Sequence, residues 1–304
     1  MLFCDKSGCR EEFAKDPCVI KFNERYYLYY SIWFIENDTT KLGIGIATST
    51  DLEDWKIIGR VPLTQDCEMR GIGAPGAIVL NNTIHLFYQT YENGIKDAIC
   101  HATSVDGIHF IKDVTNPIFS PSDDWCCGRA IDADVVCYKD KLFLYFATRD
   151  HSAKIQKIGV ASAEIGSDFS RNCWKQEVPQ AILSPEFKWE GECIEAPATF
   201  TWNDKVYMFY GGAYNCSPQQ IGIAVSKDGI HFDKAYNQPI LRCGKKGDWN
   251  ESESGHPYVF IDDTKMYLFY QGSPDGGERW YLSKCEFEMV NNLPKIIQLL
   301  GKNI

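Results

Sequence analysis

The chain has 304 residues, and its 31 basic and 41 acidic side chains leave a formal net charge of −10. With 44% hydrophobic and 13% aromatic residues, it can build a sizeable core, which excludes a globally disordered chain. The acidic balance argues against nucleic acid and anionic membranes as partners, because phosphate groups are bound by clustered Lys and Arg. No apolar run approaches the ~20 residues of a membrane span.

The cysteine content and the N-terminal segment bear on the compartment. The first residues contain no apolar stretch of the kind found in signal peptides. The 13 cysteines include no C-x-x-C pair, which disfavours a zinc site. We therefore expect a cytoplasmic protein whose thiols are reduced and serve as small buried side chains.

A short segment recurs five times and marks the start of five units. The units begin near residues 16, 74, 132, 196 and 256, so successive starts lie 58 to 64 residues apart. We call the first residue of each segment a ring position. The five versions are Asp16-Pro-Cys-Val-Ile, Ala74-Pro-Gly-Ala-Ile, Asp132-Ala-Asp-Val-Val, Ala196-Pro-Ala-Thr-Phe and His256-Pro-Tyr-Val-Phe. A repeat of this length is typical of stacked or radial architectures.

Within each unit, further segments read as strands. An aromatic-rich segment is centred 12 residues after every ring position, at Leu28, Leu86, Leu144, Met208 and Leu268. A third segment follows, such as LGIGIATS from Leu42, and then a turn and a fourth strand. Four antiparallel strands per unit predict an all-β fold, a five-bladed β-propeller that spans residues 1–304 as a single domain. Only the tail, residues 294–300, is predicted to be a helix.

The ring positions also carry the candidate chemistry. In a propeller, the first strand of each blade lines the central channel, so Asp16, Asp132 and His256 should converge at one mouth. Glu195 lies one residue before its ring position, and strand alternation places it at the rim of this mouth. Buried carboxylates cost several kcal/mol unless they are paired or hydrogen-bonded, so this group points to a functional site.

The segments KDPCVIKFNERYYLYYS, GAPGAIVL, AIDADVVCYKDKLFLYFA, CIEAPATFTWNDKVYMFYGG and SGHPYVF resemble glycoside hydrolase family 43. The resemblance implies that Asp16 is the general base, Glu195 the general acid and Asp132 the group that raises the pKa of that acid. It implies that His256 binds a structural calcium ion or an ordered water in the channel, and that no cofactor is required for the chemistry. Ala133 stands where the family usually has Pro.

Loops between the second and third strands, and those that lead into each blade, should border the same mouth. They supply the candidate substrate-binding residues, which are Trp33, Arg70, Arg149, Tyr214 and Arg279. Aromatic rings stack on sugars, and Arg binds hydroxyls or carboxylates. Glu251 and Glu253, before the fifth ring position, are expected in a solvated loop.

The expected function is hydrolysis of plant-type oligosaccharides with inversion of configuration, as by a β-xylosidase or an α-L-arabinofuranosidase. One alternative is a phosphorolytic or anhydro-sugar enzyme on the same scaffold, for which Arg70, Arg129 and Arg149 would supply a phosphate site. Another is a non-catalytic sugar-binding propeller, which should lack at least one of the three carboxylates. A homo-oligomer stays open, since a neighbouring subunit could complete the pocket.

Overall fold

A computed structural model describes residues 2–300 and contains 21 strands, numbered β1 to β21 in chain order, with four short 3-10 turns. Four blades are four-stranded antiparallel sheets with strands in sequential order. Blade 1 comprises β2 (Lys15–Phe22), β3 (Arg25–Glu36), β4 (Thr39–Ser49) and β5 (Lys56–Arg60). Blade 2 comprises β6 (Ile72–Leu80), β7 (Thr83–Thr90), β8 (Ile99–Ser104) and β9 (Ile111–Lys112).

Blade 3 comprises β10 (Ile131–Tyr138), β11 (Lys141–Arg149), β12 (Gln156–Glu164) and β13 (Lys175–Gln176). Blade 4 comprises β14 (Ile194–Trp202), β15 (Lys205–Gly212), β16 (Gln220–Ser226) and β17 (Phe232–Lys234). The 3-10 turns are Asp66–Glu68, Gly94–Lys96, Arg171–Cys173 and Lys188–Glu190. The predicted five-bladed β-propeller is confirmed.

Blade 5 closes the ring with strands from both ends of the chain. It comprises β18 (Glu253–Asp262), β19 (Lys265–Ser273) and β20 (Tyr281–Val290), and β20 pairs with β1 (Leu2–Phe3) and with β21 (Leu293–Leu300). The helix predicted for residues 294–300 is therefore wrong. The free edge of β20 offers unpaired backbone groups, and the tail satisfies them as an added strand.

The second strands of the blades form the apolar interior. Their five predicted centres are fully buried, and each is followed by two buried aromatic residues. These pairs are Tyr29-Tyr30, Phe87-Tyr88, Tyr145-Phe146, Phe209-Tyr210 and Phe269-Tyr270. Burial of such large rings between neighbouring blades supplies about 1.5–3 kcal/mol for each side chain.

All 13 cysteines, which lie within the described residues, are free thiols. Among residues 2–300, no helix has the length and apolar character that crossing a membrane would require.

Candidate active site

The first strand of every blade contains a β-bulge at its ring position. The strand pairing skips a residue in all five blades, for example between Lys15 and Cys18 in blade 1. The ring residues all have positive φ, with values of 53° (Asp16), 43° (Ala74), 54° (Asp132), 51° (Ala196) and 41° (His256). A bulge bends the strand and redirects side chains locally, so neighbouring residues can face the same mouth.

Side chains of the adjacent blade hold most of these bulges in place. In four cases a side-chain oxygen from a second strand, or from the residue just before a third strand, accepts the hydrogen bond of the ring residue's backbone N–H. The pairs are Gln271 Oε1 with Asp16 (3.0 Å), Ser31 Oγ with Ala74 (2.9 Å), Gln89 Oε1 with Asp132 (2.8 Å) and Gln219 Oε1 with His256 (3.1 Å). These bonds fix the ring positions in a conformation that costs about 1–3 kcal/mol on its own.

The bulge explains why Glu195 lies on the floor of the cavity rather than at its rim. Strand alternation predicted a rim position, but Glu195 is only 5% exposed and is enclosed with the ring carboxylates. Gln219 Nε2 donates a hydrogen bond to Glu195 Oε1 at 2.6 Å, and Gln156 Nε2 donates to Glu195 Oε2. Two amide donors thus orient this carboxylate.

His256 lies between two of the three candidate catalytic carboxylates. Its Nδ1 is 2.8 Å from Asp16 Oδ1, and its Nε2 is 3.3 Å from Glu195 Oε1. Burial alone would lower the pKa of His256, but Asp16 and Glu195 raise it well above the usual range for histidine. Burial would raise the pKa of Asp16, yet the charge and hydrogen bond of His256 hold it well below the usual range. Asp16 and His256 therefore form an ion pair at neutral pH.

The pKa values of Asp132 and Glu195 differ from those expected from the sequence. Burial, reinforced by repulsion from Glu195 and Asp16, raises the pKa of Asp132 to about 7. For Glu195, burial is outweighed by His256, Gln219 and Lys15, so its pKa is lowered. The expected elevation of the Glu195 pKa by Asp132 is not found, because three donors stabilise the charged form of Glu195. Of the two carboxyl groups, Asp132 therefore has the raised pKa and Glu195 the lowered one.

A second layer of charge supports the floor, and sequence reasoning missed most of it. Glu253, expected in a solvated loop, is fully buried on β18 and accepts hydrogen bonds from Gln271 Nε2 (2.6 Å) and the Cys216 amide (2.7 Å). In the amide orientation that matches donors with acceptors, the Asn215 oxygen accepts a hydrogen bond from Lys15 Nζ at 3.0 Å. The Asn215 nitrogen then donates to Glu253 Oε1 at 3.2 Å. The expectation for Glu253 is wrong, because its carboxylate is enclosed by hydrogen-bond donors and is not in contact with solvent. Its nearness to the fifth ring position was the one available signal.

Calcium at His256 can be tested against the donors that are present. One ligand atom each from Asp132, Glu195 and His256 lies within 4.8 Å of the others. Calcium takes six to eight oxygen ligands, whereas both nitrogens of His256 already face carboxylates. The donor set therefore does not suit calcium, and calcium at this position remains a prediction from the resemblance alone. Farther along the channel, Asp134 accepts a hydrogen bond from the Thr199 amide at 2.8 Å.

A cavity of about 440 Å³ opens above the carboxylates. Three of the predicted substrate-binding residues line it, namely Trp33, Arg149 and Tyr214. The Arg149 guanidinium lies 5.6 Å from the ring of Tyr214, and its Nε donates to Gln156 Oε1 at 3.1 Å. Arg149 is thus linked through Gln156 to Glu195.

The other two predicted substrate-binding residues lie outside the cavity lining. Arg279 pairs with Asp275 at 2.7 Å and approaches Glu12 at 3.7 Å, and its side chain is half exposed. Arg70 is exposed and donates to the carbonyl oxygen of Glu92. Local partners determined both directions, and loop position alone could not reveal them.

Other residues line the cavity that the substrate-binding prediction did not include. The lining includes Arg10, Lys15, Tyr91, Arg129, Gln156 and Trp280. Arg10 stacks on Trp33 at 4.8 Å and Lys15 on Trp280 at 4.3 Å. The cavity therefore combines an acidic floor with a wall of aromatic rings and guanidinium groups.

Comparison with known proteins agrees with the propeller fold. The sequence matches the family described as Glycosyl hydrolases family 43 over residues 9–287. The fold is similar to a thermostable family-43 glycoside hydrolase, with a TM-score of 0.76 at 22% identity over 99% of this chain and 97% of the other. It is also similar to an endo-1,4-β-xylanase from Bacteroides thetaiotaomicron VPI-5482, with a TM-score of 0.73 at 21% identity and 94% coverage of both chains.

A shorter sequence similarity concerns the β-1,2-mannobiose phosphorylase of Thermoanaerobacter sp. (strain X514). The two are 31% identical over 116 residues, which cover 33% of this chain and 36% of that enzyme. The aligned part is thus about a third of either protein, whereas the family match extends over nearly all of the five blades. The resemblance inferred from the repeated segments is confirmed, and the chain belongs to glycosyl hydrolase family 43.

Proposed function

We propose that the protein hydrolyses glycosidic bonds of plant-type oligosaccharides, as a β-xylosidase or an α-L-arabinofuranosidase does, with inversion of configuration. The observation that carries this proposal is a group of three carboxylates on the floor of one cavity, where Asp132 and Glu195 are buried and Asp16 is partly buried. The similarity in fold to an endo-1,4-β-xylanase supports a substrate that contains pentose units.

Asp16 is suited to the role of general base. Its ion pair with His256 keeps the carboxylate ionised, so it can accept a proton from a water molecule that attacks the anomeric carbon. The imidazole ring between Asp16 and Glu195 keeps these carboxylates out of direct contact. This arrangement favours the wider separation of inverting enzymes, about 6.5–9.5 Å, which leaves room for the water.

Glu195 and Asp132 together supply the acid. Their oxygens approach within 4.8 Å, and Asp132 holds a proton up to a pH of about 7. We assign to Glu195 the transfer of this proton to the leaving oxygen, with Asp132 as its source. Two coupled carboxylates titrate as a pair, so entry of a neutral sugar into the cavity can move the proton between them.

Phosphorolysis is the second candidate function, and two observations favour it. The first is the partial similarity to a mannobiose phosphorylase. The second is the set of guanidinium groups on the cavity wall, from Arg10, Arg129 and Arg149, which could bind phosphate in place of the attacking water. Arg70, expected in such a cluster, lies outside the cavity lining.

Product analysis by NMR separates the two functions. Aryl pentosides, aryl hexosides and short xylo- and arabino-oligosaccharides would be incubated with and without phosphate. The variants would be Glu195→Gln and, as a control, Glu164→Gln, an exposed carboxylate at the end of β12. Hydrolysis predicts free sugar of inverted configuration without phosphate, and a loss of about 10²–10⁴-fold in rate for Glu195→Gln only.

The other outcomes are equally informative. Sugar 1-phosphate that forms only in the presence of phosphate would establish the phosphorylase instead. Full activity of Glu195→Gln would refute its role as the acid. Turnover of hexosides alone would contradict the pentose assignment.

A further inference from the structure

A second groove, with a volume of about 740 Å³, lies beside the catalytic cavity on blade 4. We call it the blade 4 groove. Three segments form it, namely residues 187–192 before β14, residues 213–220 around the loop that joins β15 to β16, and residues 237–238 after β17.

The blade 4 groove and the catalytic cavity share Tyr214 as a common wall. The Tyr214 hydroxyl donates to the Lys154 carbonyl at 2.8 Å, which ties blade 4 to blade 3. Next to it, the Ala213 amide donates to the Cys193 carbonyl at 2.8 Å, two residues before Glu195. The groove therefore opens on the side of the cavity where the proposed acid lies. A general acid faces the leaving group, so this is the side that the leaving part of a substrate should occupy.

The lining of the groove has the chemistry of a sugar-binding surface. Phe187, Trp189 and Tyr214 contribute aromatic rings, and Asn237 and Gln238 contribute exposed amides. Aromatic rings accept the apolar faces of sugars, while amides donate to and accept from hydroxyl groups. One lysine and one glutamate, Lys188 and Glu192, are the charged members of the lining, so the groove favours a neutral ligand over an anionic one.

Trp189 is held rigidly, as a stacking platform requires. Its ring is stacked on Tyr210 with centroids 6.0 Å apart and an interplanar angle of 21°. Tyr210 in turn donates to Glu190 at 2.7 Å, and Glu190 is paired with Lys234 at 2.6 Å. Gly212 leaves room for the indole, since a Cβ there would meet Trp189 at 2.2 Å. A preorganised ring loses little entropy when a ligand binds.

We propose that the blade 4 groove binds further sugar units of a neutral oligosaccharide on the leaving-group side of the cleaved bond. The proposal rests on the proposed function for the direction of the chain, and it identifies the substrates as oligosaccharides longer than a disaccharide. Binding of the longer chain spans the catalytic cavity, Tyr214 and the groove.

Binding measurements test this without depending on turnover. Glu195→Gln would serve as the background, and calorimetry would compare xylobiose with xylohexaose, and arabinobiose with α-1,5-arabinohexaose. The ratio of hexasaccharide to disaccharide affinity is the readout. We expect a ratio of at least about tenfold for one of the two series.

Two groove variants would then be made in that background. Trp189→Ala removes the platform, and Asn237→Ala with Gln238→Ala removes exposed amides without touching the core. The control is Trp202→Ala, an indole that is 40% exposed at the opposite end of β14. We expect both groove variants to reduce the ratio to within about twofold of unity and the control to retain it.

Equal affinity for short and long chains in both series, or a ratio that survives both groove variants, would overturn the groove proposal. Failure of the proposed function gives a different result: a length-dependent affinity that the groove variants abolish, with no cleavage of the bound hexasaccharide by the protein that retains Glu195.

Discussion

Replacing Asp132 with Asn should stabilise the folded protein at pH 8 while it greatly slows glycoside cleavage. The Asp132 side chain is 7% exposed, and its Oδ2 has no hydrogen-bond partner in the described part of the chain. Burial and the neighbouring carboxylates raise its pKa to about 7. An ionised Asp132 is therefore an unfavourable charge that the fold retains for its chemistry.

The magnitude follows from the pKa. A rise from the ordinary 3.8 to about 7 corresponds to about 4 kcal/mol. Between pH 4 and 7 the folded protein holds this proton more tightly than the unfolded chain does, so the free energy of unfolding falls as pH rises through that window. Above pH 7 the loss is complete. Asn avoids it at every pH, but a buried amide with incomplete partners costs about 1–3 kcal/mol, which leaves a net gain of about 1–3 kcal/mol at pH 8.

Thermal unfolding monitored by circular dichroism provides the assay. For 304 residues, an unfolding entropy of about 2 cal/mol/K per residue converts this gain into a rise in Tm of roughly 2–5 °C at pH 8. The difference between Asp132→Asn and wild type should disappear or reverse near pH 4.5. Asp134→Asn is the matched control for the loss of activity. Burial raises the pKa of Asp134 to about 7 as well, but Asp134 contacts Thr199 and lies outside the catalytic group. A variant no more stable than wild type at pH 8, or equally stabilised at pH 4.5, would refute the reasoning.

Two further predictions concern residues that position the site and the blades. Gln219→Leu removes the donor to Glu195 and the acceptor for the His256 amide. We therefore expect kcat to fall by roughly 10–100-fold, a loss of about 1–3 kcal/mol. Steady-state kinetics would measure this, and an unchanged kcat would contradict the prediction. Glu68→Ala removes the carboxylate that pairs with a buried lysine at 2.8 Å and should cost about 3–5 kcal/mol in stability. Glu190→Ala should cost a similar amount, because Glu190 is paired with the similarly buried Lys234 at 2.6 Å. Denaturant unfolding would measure both losses. A loss under about 1 kcal/mol in either variant would show that the buried pair is dispensable.

The blade number could be predicted from the sequence because it depends on a regular period. Ring positions and aromatic strand centres recur at nearly equal spacing, and no local detail is needed to count them. A repeated buried triad was available in the same way but was overlooked. Glu68, Tyr88 and Lys112 in blade 2 correspond to a second set in blade 4, each 122 residues later, and both sets are joined by short hydrogen bonds. The second set is Glu190, Tyr210 and Lys234.

The orientation of individual site residues was harder to predict. A simple alternation of side chains placed Glu195 at the rim, because a bulge leaves no mark in a single sequence that would distinguish it from an ordinary strand. The substrate-binding predictions for Arg279 and Arg70, which lie outside the cavity lining, were not met for a different reason. The direction of a long side chain on a loop depends on partners such as Asp275, which forms an ion pair with Arg279 only once the turn has folded.

The five bulges show how the fold and the chemistry are related. Ala74 and Ala196 adopt the same positive φ as Asp16 and Asp132, although a methyl group has no catalytic use. The strained conformation therefore belongs to the architecture of the propeller and was not created for the reaction. Each blade provides an inward-facing position, and the side chain placed there decides whether it packs or acts. Charge is tolerated because opposite charges meet across blades, as they do where His256 of blade 5 lies between carboxylates of blades 1 and 4. A radial fold can thus assemble a catalytic group from residues far apart in sequence without changing its backbone.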